Sequence, residues 1–283
     1  MGSYILVTGG TGTLGRLVVP RLRDAGRTVR VLSRRSPESG EGIELVTGDL
    51  ATGEGIEAAV DGAEIIVHLA GSGKGDEDKA RHLVRAASRA GARHLVYISV
   101  AGADRIPVVS GVDRAMFGYF ASKLAAERVV ADSSLPWTTL RATQFHQLMQ
   151  MVAQQMAKLP VIPVPAGFRV QPIDAGEVAA RIAELALGPP TGLVPPMAGP
   201  KVYHATELLR GYLRASNRHR PILPVRLPGK AAAAFRAGAN LAPEQAVGRR
   251  TWEEFLADRV DLGEPQQANL PTQEDRPEYA RSS

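Results

Sequence analysis

No cysteine occurs among the 283 residues of this sequence. Its absence excludes disulfide bonds, thiol nucleophiles and thiolate metal sites. The six histidines are scattered along the chain, and none lies at the spacing of a metal-binding motif. No metal site is therefore predicted.

Long apolar runs are also absent. No stretch approaches the roughly 20 consecutive apolar residues that a membrane-spanning helix needs. The first residues do not combine a basic segment with a following apolar one, so we expect no secretory signal. These two absences predict a cytoplasmic protein without a membrane partner.

Aromatic residues are few, at 5% of the sequence, and 34 basic residues are interleaved with 29 acidic ones. Because no basic run contains interspersed aromatic residues, no nucleic-acid partner is predicted. We interpret the net charge of +5 as a mildly basic surface that favours anionic ligands. The length and the 44% hydrophobic fraction fit one large domain with a smaller companion.

The first residues form a pattern of strand, glycine turn, helix and second strand. Residues 4–8 are a short run, mainly apolar, that stops at glycine, which predicts a buried strand. Apolar residues at helical spacing predict a helix over 13–25, and 28–32 reads as the next strand. In such a unit the amides of the turn and the positive end of the helix can cradle a pyrophosphate.

The glycines of the turn follow the spacing G-x-x-G-x-x-G. Gly9 permits a tight turn, Gly12 lets a phosphate approach the backbone, and Gly15 lets the helix lie close to the strand. The alternative is a loop whose glycines serve only the turn, but the strand–turn–helix context favours the nucleotide site. The predicted contacts are Gly9, Thr11, Gly12, Thr13, Leu14 and Gly15.

The second strand ends at Ser33, Arg34 and Arg35. An acid at this place would hydrogen-bond the ribose diol of NAD. A hydroxyl and two guanidinium groups instead match a 2′-phosphate, so NADP(H) is the predicted cofactor. The alternative is that both arginines are solvated loop charges.

Further strands alternate with helical patterns along the first two thirds of the chain. This order predicts an α/β fold, a doubly wound parallel sheet (Rossmann) with a small carboxyl-terminal lobe. Ligands of such sheets bind at the carboxyl ends of the strands. The further predicted strands are 44–46, 65–69, 94–98 and 137–141.

The turn TGGTGTLG resembles the short-chain dehydrogenase/reductase superfamily, in the form carried by its extended and atypical branches, which include the NmrA-like proteins. The resemblance runs from Tyr4 to about Asp174. It implies that Asp49 and Leu50 meet the adenine ring, with a helix N-cap as the alternative for Asp49. Ala70 and Gly71 are small enough for the cofactor to lie against the backbone.

Tyr119 and Lys123 are four residues apart and share one face of a predicted helix. A nearby ammonium and an adjacent nicotinamide cation favour the phenolate and bring the pKa of the phenol toward the working range. With Ser99 at a strand end, they look like the serine–tyrosine–lysine set of the superfamily. The alternative is a helix-surface tyrosine, because NmrA-like members often lack the catalytic one.

Extended members carry an arginine–proline–glycine-like turn against the nicotinamide, where this chain has Arg141, Ala142 and Thr143. Thr143 is therefore a candidate cofactor contact. Phe145, His146 and Met149 are candidates for lining the substrate pocket, and core packing is their alternative role.

The remaining residues suggest four further features. A proline-rich turn is predicted at 161–165, and a strand that returns to the sheet at 169–174. Asp174 is expected to cap the helix that follows it, with Glu177 completing a capping box. Five prolines and three glycines in 188–200 are typical of a linker.

The predicted domains are an NAD(P)-binding Rossmann domain at 1–190 and a substrate-side lobe at 191–262. A disordered tail is expected at 263–283, and Trp252 and Phe255 are expected to pack on the body of the protein. The predicted function is an NADPH-dependent reductase that transfers hydride to a carbonyl, quinone or conjugated alkene of a small molecule, as a monomer or homodimer. The alternatives are a non-catalytic NADP-binding regulator resembling NmrA and, ranked below it, a sugar-nucleotide epimerase.

Overall fold

The computed structural model describes residues 3–34 and 43–261. Arg35 and the expected tail at 263–283 lie outside the described residues. The strands are β1 (Tyr4–Thr8), β2 (Val29–Ser33), β3 (Glu44–Thr47), β4 (Ala63–His68), β5 (His94–Val100), β6 (Trp137–Ala142), β7 (Ile162–Pro165), β8 (Arg169–Val170), β9 (Gly192–Leu193), β10 (Tyr203–His204) and β11 (Ile222–Val225).

Helices follow or separate most of these strands. The α-helices of the described residues are α1 (Gly15–Asp24), α2 (Ile56–Val60), α3 (Asp76–Ala90), α4 (Gly111–Ala131), α5 (His146–Met156), α6 (Ala175–Leu187), α7 (Ala205–Ala215), α8 (Lys230–Arg236) and α9 (Trp252–Asp261). None of them is long and apolar enough to cross a membrane.

The main sheet has seven parallel strands in the order β3-β2-β1-β4-β5-β6-β9. The central strands β1 and β5 are buried along their whole length, because helices cover both faces. Ile5 and Val7 pack in the cluster that contains α1 and α6. Leu6 and Tyr97 pack in the cluster on the opposite face, with α2, α3 and α4. The predicted fold class is confirmed.

A third core lies in the carboxyl-terminal part of the chain. Phe168 stacks on Phe235 with ring centroids 4.6 Å apart. Trp252 and Phe255 are 1% and 0% exposed and stack on each other at 5.5 Å. The prediction that these two residues pack on the body of the protein is confirmed.

Two predicted elements are wrong. Residues 161–165 do not form a turn, because Ile162–Pro165 is the strand β7, paired in parallel with β11. Ile162 and Ala166 donate their amides to Pro221 and Val225, so the prolines fall at positions where no donor is needed. Residues 169–174 do not form a strand of the main sheet: among the described residues β8 pairs with β10 in a separate antiparallel pair, and Ile173 makes a single parallel bridge to Phe145, just beyond β6.

The proline- and glycine-rich segment 188–200 contains β9, the edge strand of the main sheet, which pairs with β6.

Asp174 caps α6 as predicted, accepting a hydrogen bond from the Gly176 amide at 2.7 Å. The predicted capping box is wrong. Glu177 accepts the amide of Arg249 at 2.9 Å instead, and so ties α6 to the carboxyl-terminal segment.

Candidate functional site

The carboxyl ends of five adjacent parallel strands meet at one edge of the sheet. Gly9 follows β1, Ser33 ends β2, Ala70 follows β4, Ser99 lies near the end of β5, and Thr143 follows β6. A hydrogen bond from backbone to side chain brings two of these ends together, since Ala70 donates its amide to Thr8 Oγ1 at 3.3 Å. The structure therefore places the predicted residues of the five strand ends at one edge.

The three glycines of the first turn have different surroundings. A Cβ on Gly9 would lie 2.6 Å from the backbone nitrogen of Ala70, and its φ is +70°. A Cβ on Gly15 would lie 2.2 Å from the carbonyl oxygen of Gly9. Gly12 is exposed, and the one atom within 4 Å of its Cβ position is the Gly9 oxygen at 3.3 Å. Only Gly12 therefore leaves room for a ligand.

The amino-terminal end of α1 is suited to an anion. No side chain caps this end, and its first turn contains no acidic residue. Helices α3 and α4, in contrast, have acidic residues in their first turn. Uncompensated amides and the helix dipole give this end a positive potential. Leu14 is buried below it, while Thr11 and Thr13 are exposed beside it.

The predicted adenine side lies after β3. Asp49 Oδ1 accepts the amide of Ala51 at 2.8 Å, so its carboxylate closes a turn. The alternative role of Asp49 as a helix N-cap is wrong, because α2 is preceded by Gly55 at that position. Leu50 is 6% exposed, and its carbonyl oxygen lies 2.8 Å from His82 Nδ1.

Lys123 is held in a buried ion pair. Its Nζ lies 3.2 Å from Asp76 Oδ2, and the two side chains are 5% and 1% exposed. The ammonium also lies within 3.4 Å of the Tyr97 hydroxyl and 3.5 Å of the Ile98 carbonyl oxygen. Burial lowers the pKa of Lys123, and the Asp76 carboxylate opposes that change.

Asp76, which the sequence analysis did not select, connects this ion pair to the loop after β4. Its Oδ1 accepts the amide of Ser72 at 2.8 Å and contacts Lys79 at 3.4 Å. A Cβ on Gly71 would lie 2.7 Å from Lys123 Nζ, so the loop passes directly over the pair. In the sequence, Asp76 is one of three acids at the start of a helix, and only its burial distinguishes it.

Tyr119 lies on α4, with Lys123 Nζ 5.9 Å from its ring centroid. It exposes 40% of its surface, which leaves it accessible from solvent. Burial of the remaining surface raises the pKa of Tyr119, and the Asp76 carboxylate raises it further. In the protein alone, burial and Asp76 outweigh any effect of Lys123 on this pKa, and the lowering expected from the ammonium together with a nicotinamide cation stays a prediction.

Two buried hydroxyl groups at the site lack a hydrogen-bond partner among the described residues. Ser99 is 5% exposed and Thr143 is 3% exposed. Ser99 lies two residues beyond Tyr97 on β5, so both side chains are on the same face of the strand. A buried hydroxyl without a partner is costly, and a bound polar ligand can supply the missing hydrogen bond.

Arg141 fixes α4 against the sheet. Its guanidinium makes two bonds to Glu127, at 2.9 and 2.6 Å, and one to Asp104 at 2.8 Å. These ion pairs raise the pKa of Arg141 further. Glu127 lies one turn after Lys123, so this network orients the helix that carries the tyrosine and the lysine.

The three predicted substrate residues occupy different environments. His146 is 0% exposed and stacks on Phe255 at 5.0 Å, beneath the carboxyl-terminal helix. Phe145 is half-buried and packs on the cluster around α1 and α6, while Met149 packs on the third core. These contacts correspond to core packing, the alternative role of all three residues, and His146 is fully buried by them.

Two buried histidines, His146 and His68, lead us to expect that the protein loses stability in mild acid. Burial lowers the pKa of His146 to about 4 and that of His68 to about 3. Both are neutral when folded, so the unfolded chain binds more protons once the pH falls below about 6.5. We expect the free energy of unfolding to decrease from pH 6.5 downward, by up to about 1.4 kcal/mol per pH unit for each histidine.

Urea titrations at several pH values between 7 and about 4 test this expectation. His146→Phe keeps the aromatic stack and removes one titrating group, so the slope against pH should become shallower. His219→Gln is the control, since His219 is exposed. An unchanged slope in the His146 variant would contradict the assignment.

The first two thirds of the chain are similar in sequence to known proteins. A family model described as NAD(P)H-binding matches residues 9–185. Ceramide reductase from Caulobacter vibrioides is 32% identical over 212 residues, which cover 67% of this chain and 63% of that protein. A (4-alkanoyl-5-oxo-2,5-dihydrofuran-3-yl)methyl phosphate reductase from Streptomyces griseus is 34% identical over 145 residues, covering 50% and 48%. The chain thus spans less than two thirds of the length of these two relatives.

Solved structures agree in fold. The NADPH complex of the quinone oxidoreductase QOR2 from Escherichia coli has a TM-score of 0.75 with this chain at 19% identity, covering 90% of this chain and 99% of the other. At that identity the likeness concerns the fold, and the arrangement of the parallel sheet and its helices extends over nearly the whole of both chains.

Proposed function

The chain belongs to the NAD(P)H-binding family, and from this premise we propose that it is an NADPH-dependent oxidoreductase. Its substrates are small molecules with a carbonyl, a quinone or a conjugated alkene. The observation that carries the proposal is the accessible Tyr119 beside the buried Lys123–Asp76 pair, at the same sheet edge as the glycine turn. The reductase names of two relatives support the same reaction type.

The residues of the turn fit a dinucleotide. Gly12 leaves an open approach to the backbone, and the uncapped end of α1 is suited to the pyrophosphate. Arg34 would hold the 2′-phosphate. Ser99 and Thr143 have hydroxyl groups without a partner in the part of the chain that the structure describes, and the nicotinamide end and the substrate would lie there. When bound, NADPH supplies a hydride.

The catalytic residues provide the proton and the orientation. Tyr119 donates its phenolic proton to the substrate oxygen or to the carbon that requires it, and its raised pKa keeps the phenol protonated at neutral pH. Ser99 Oγ donates a hydrogen bond that orients the substrate oxygen. The Lys123 ammonium stabilises the phenolate that forms when Tyr119 gives up its proton, and Asp76 holds Lys123 in place.

Turnover measurements test this function directly. NADPH oxidation should be followed at neutral pH against a panel of quinones, ketones, aldehydes and conjugated alkenes, together with nucleotide affinity. Reduction of at least one class above the rate without enzyme is the expected result. Tight NADPH binding without reduction of any panel member would favour the alternative, an NADP-binding regulator.

We predict that the protein binds NADPH about ten-fold or more tightly than NADH. One or two charge-assisted bonds to the 2′-phosphate contribute about 1.5–3 kcal/mol each. Fluorescence titration with both reduced nucleotides measures the ratio. Arg34→Asp should reverse the order, because a carboxylate repels the 2′-phosphate and accepts bonds from a ribose diol.

Arg128→Asp is the matched control, since Arg128 is exposed on α4 and the charge change is the same. It should leave the ratio of the two affinities unchanged. Equal affinities of the wild type for both nucleotides would contradict the assignment of Arg34.

A further inference from the structure

The positive charge of the protein is concentrated in one segment. Residues 208–243 contain seven of the 34 basic residues and none of the 29 acidic ones. The rest of the chain therefore has 27 basic and 29 acidic residues and is slightly negative. The sequence-wide interleaving of charges conceals this local excess, which lies in the carboxyl-terminal part of the fold.

Part of this segment surrounds an open cavity of about 520 Å³. Four arginines and one histidine line it, and no acidic residue does. Among the described residues, none of the four arginines forms an ion pair with a carboxylate, whereas Arg89 and Arg93 elsewhere do. The lining residues are Arg210, Leu213, Arg214, Arg218, His219, Arg220, Pro221 and Ile222.

An apolar surface follows the cavity along the chain, because Ile222 lines the cavity and the exposed residues of β11 come directly after it. In the pair of β7 and β11, Leu223 is in register with Pro163, and both are exposed. Ile162 and Val164, at the alternate positions of β7, are buried. The outward face of this pair is therefore apolar, with Leu223 55% exposed and Val225 37% exposed. We call the arginine cavity and this outward face together the basic-apolar face.

We propose that the basic-apolar face docks on the surface of an anionic lipid bilayer. Guanidinium groups bind the phosphates of lipid headgroups through paired hydrogen bonds. Clusters of four to eight basic residues are attracted to anionic leaflets, and aliphatic side chains beside them enter the boundary between headgroups and acyl chains. The cavity supplies the first contact, and Leu223 and Val225 supply the second.

Two other occupants are less consistent with the residues present. Single-stranded nucleic acids bind through aromatic side chains on which bases stack. The aromatic residues of the segment, Tyr212 and Phe235, are both 8% exposed and packed in the third core. A small phosphate compound would use the arginines alone and would leave the apolar strand face unexplained. The expectation of no membrane partner came from the absence of a spanning segment, which peripheral docking does not require.

Sedimentation of the full chain with vesicles tests the proposal. We expect binding to vesicles of equal parts phosphatidylcholine and phosphatidylglycerol, little binding to pure phosphatidylcholine, and strong weakening at about 1 M salt, where the Debye length is about 3 Å. Arg218→Glu with Arg220→Glu should weaken binding by about ten-fold or more. Leu223→Ser with Val225→Ser should also weaken it, without any change of charge.

The matched control is Arg85→Glu with Arg128→Glu, which changes the net charge equally at exposed positions outside this face. It should retain vesicle binding, and the melting temperatures of all variants show whether they are folded. Equal loss in the control, or no binding of the wild type to anionic vesicles, overturns the proposal. Tighter binding to a DNA duplex at the same salt, or displacement from vesicles by soluble glycerol phosphate, overturns it in favour of those ligands.

Discussion

Gly12→Val is expected to weaken NADPH binding by about a hundred-fold or more while the chain stays folded. The valine side chain would occupy the open approach to the turn, which is where the pyrophosphate would contact the backbone. Loss of two charge-assisted hydrogen bonds, at about 1.5–3 kcal/mol each, accounts for an effect of this size. The residue has no positive φ, and the one close contact of its Cβ position, the Gly9 oxygen at 3.3 Å, requires only a small shift of the turn.

The neighbouring glycines provide a contrast. At Gly15 a Cβ would lie 2.2 Å from the Gly9 carbonyl oxygen and 2.4 Å from the Gly10 Cα, so even Gly15→Ala must displace backbone. We expect that variant to lose thermal stability as well as binding. Gly111→Val is the control for the added side chain, because nothing lies within 4 Å of its Cβ position and it begins a different helix.

Isothermal titration of NADPH, with a melting curve for each variant, separates these effects. The Gly12 variant should melt within a few degrees of the wild type and bind at least about a hundred-fold more weakly. A folded Gly12 variant that retains wild-type affinity would show that the glycine turn serves the backbone only and that the nucleotide site lies elsewhere.

The parts of the fold that follow a short-range pattern were predictable. Residues 4–8 and 94–98 are mainly apolar runs, because helices cover both faces of a parallel sheet. The sheet edge that collects Gly9 and Ser99 follows from parallel topology alone. The strand β7 escaped prediction because its two prolines indicate a turn, and only the partner strand shows that neither has to donate a hydrogen bond.

The parts of the site that depend on contacts distant in sequence were not predictable. Asp76 and Lys123 are 47 positions apart, and nothing in the local sequence distinguishes this acid from the two that follow it. The bonds from Arg141 to Glu127 and Asp104 likewise join three separate elements. His146 falls where a substrate residue is expected, but α9, more than 100 positions later, covers it.

Tyr119→Phe is expected to lower turnover by roughly 10²–10⁴, the usual contribution of a positioned general acid. The substitution removes one hydroxyl and little volume, and no hydrogen bond of that hydroxyl to another described residue is evident. NADPH affinity and melting temperature should therefore barely change. The wild-type rate should fall at high pH as the phenol loses its proton, at a pH above its ordinary titration range because its pKa is raised.

Variants of the ion pair show how the tyrosine is supported. Lys123→Ala should lose turnover and some nucleotide affinity together, because we expect the ammonium to contact the cofactor ribose as well as to act on the phenol. Asp76→Asn removes the carboxylate that holds Lys123 and raises the pKa of Tyr119. We expect the decline of rate at high pH to begin at a lower pH in that variant, at pH values where its melting temperature shows that it is still folded.

The same variants distinguish an enzyme from a regulator. In an enzyme, Tyr119→Phe reduces turnover with every substrate of the panel, and the pH profile of Asp76→Asn shifts with the phenol. Full activity in Tyr119→Phe would show that another residue or water donates the proton. Hydride transfer would then depend on how the protein positions the cofactor. If the wild type binds NADPH and reduces nothing, Tyr119 has no proton to deliver, and the buried pair of Lys123 and Asp76 serves to fix the loop over the nucleotide.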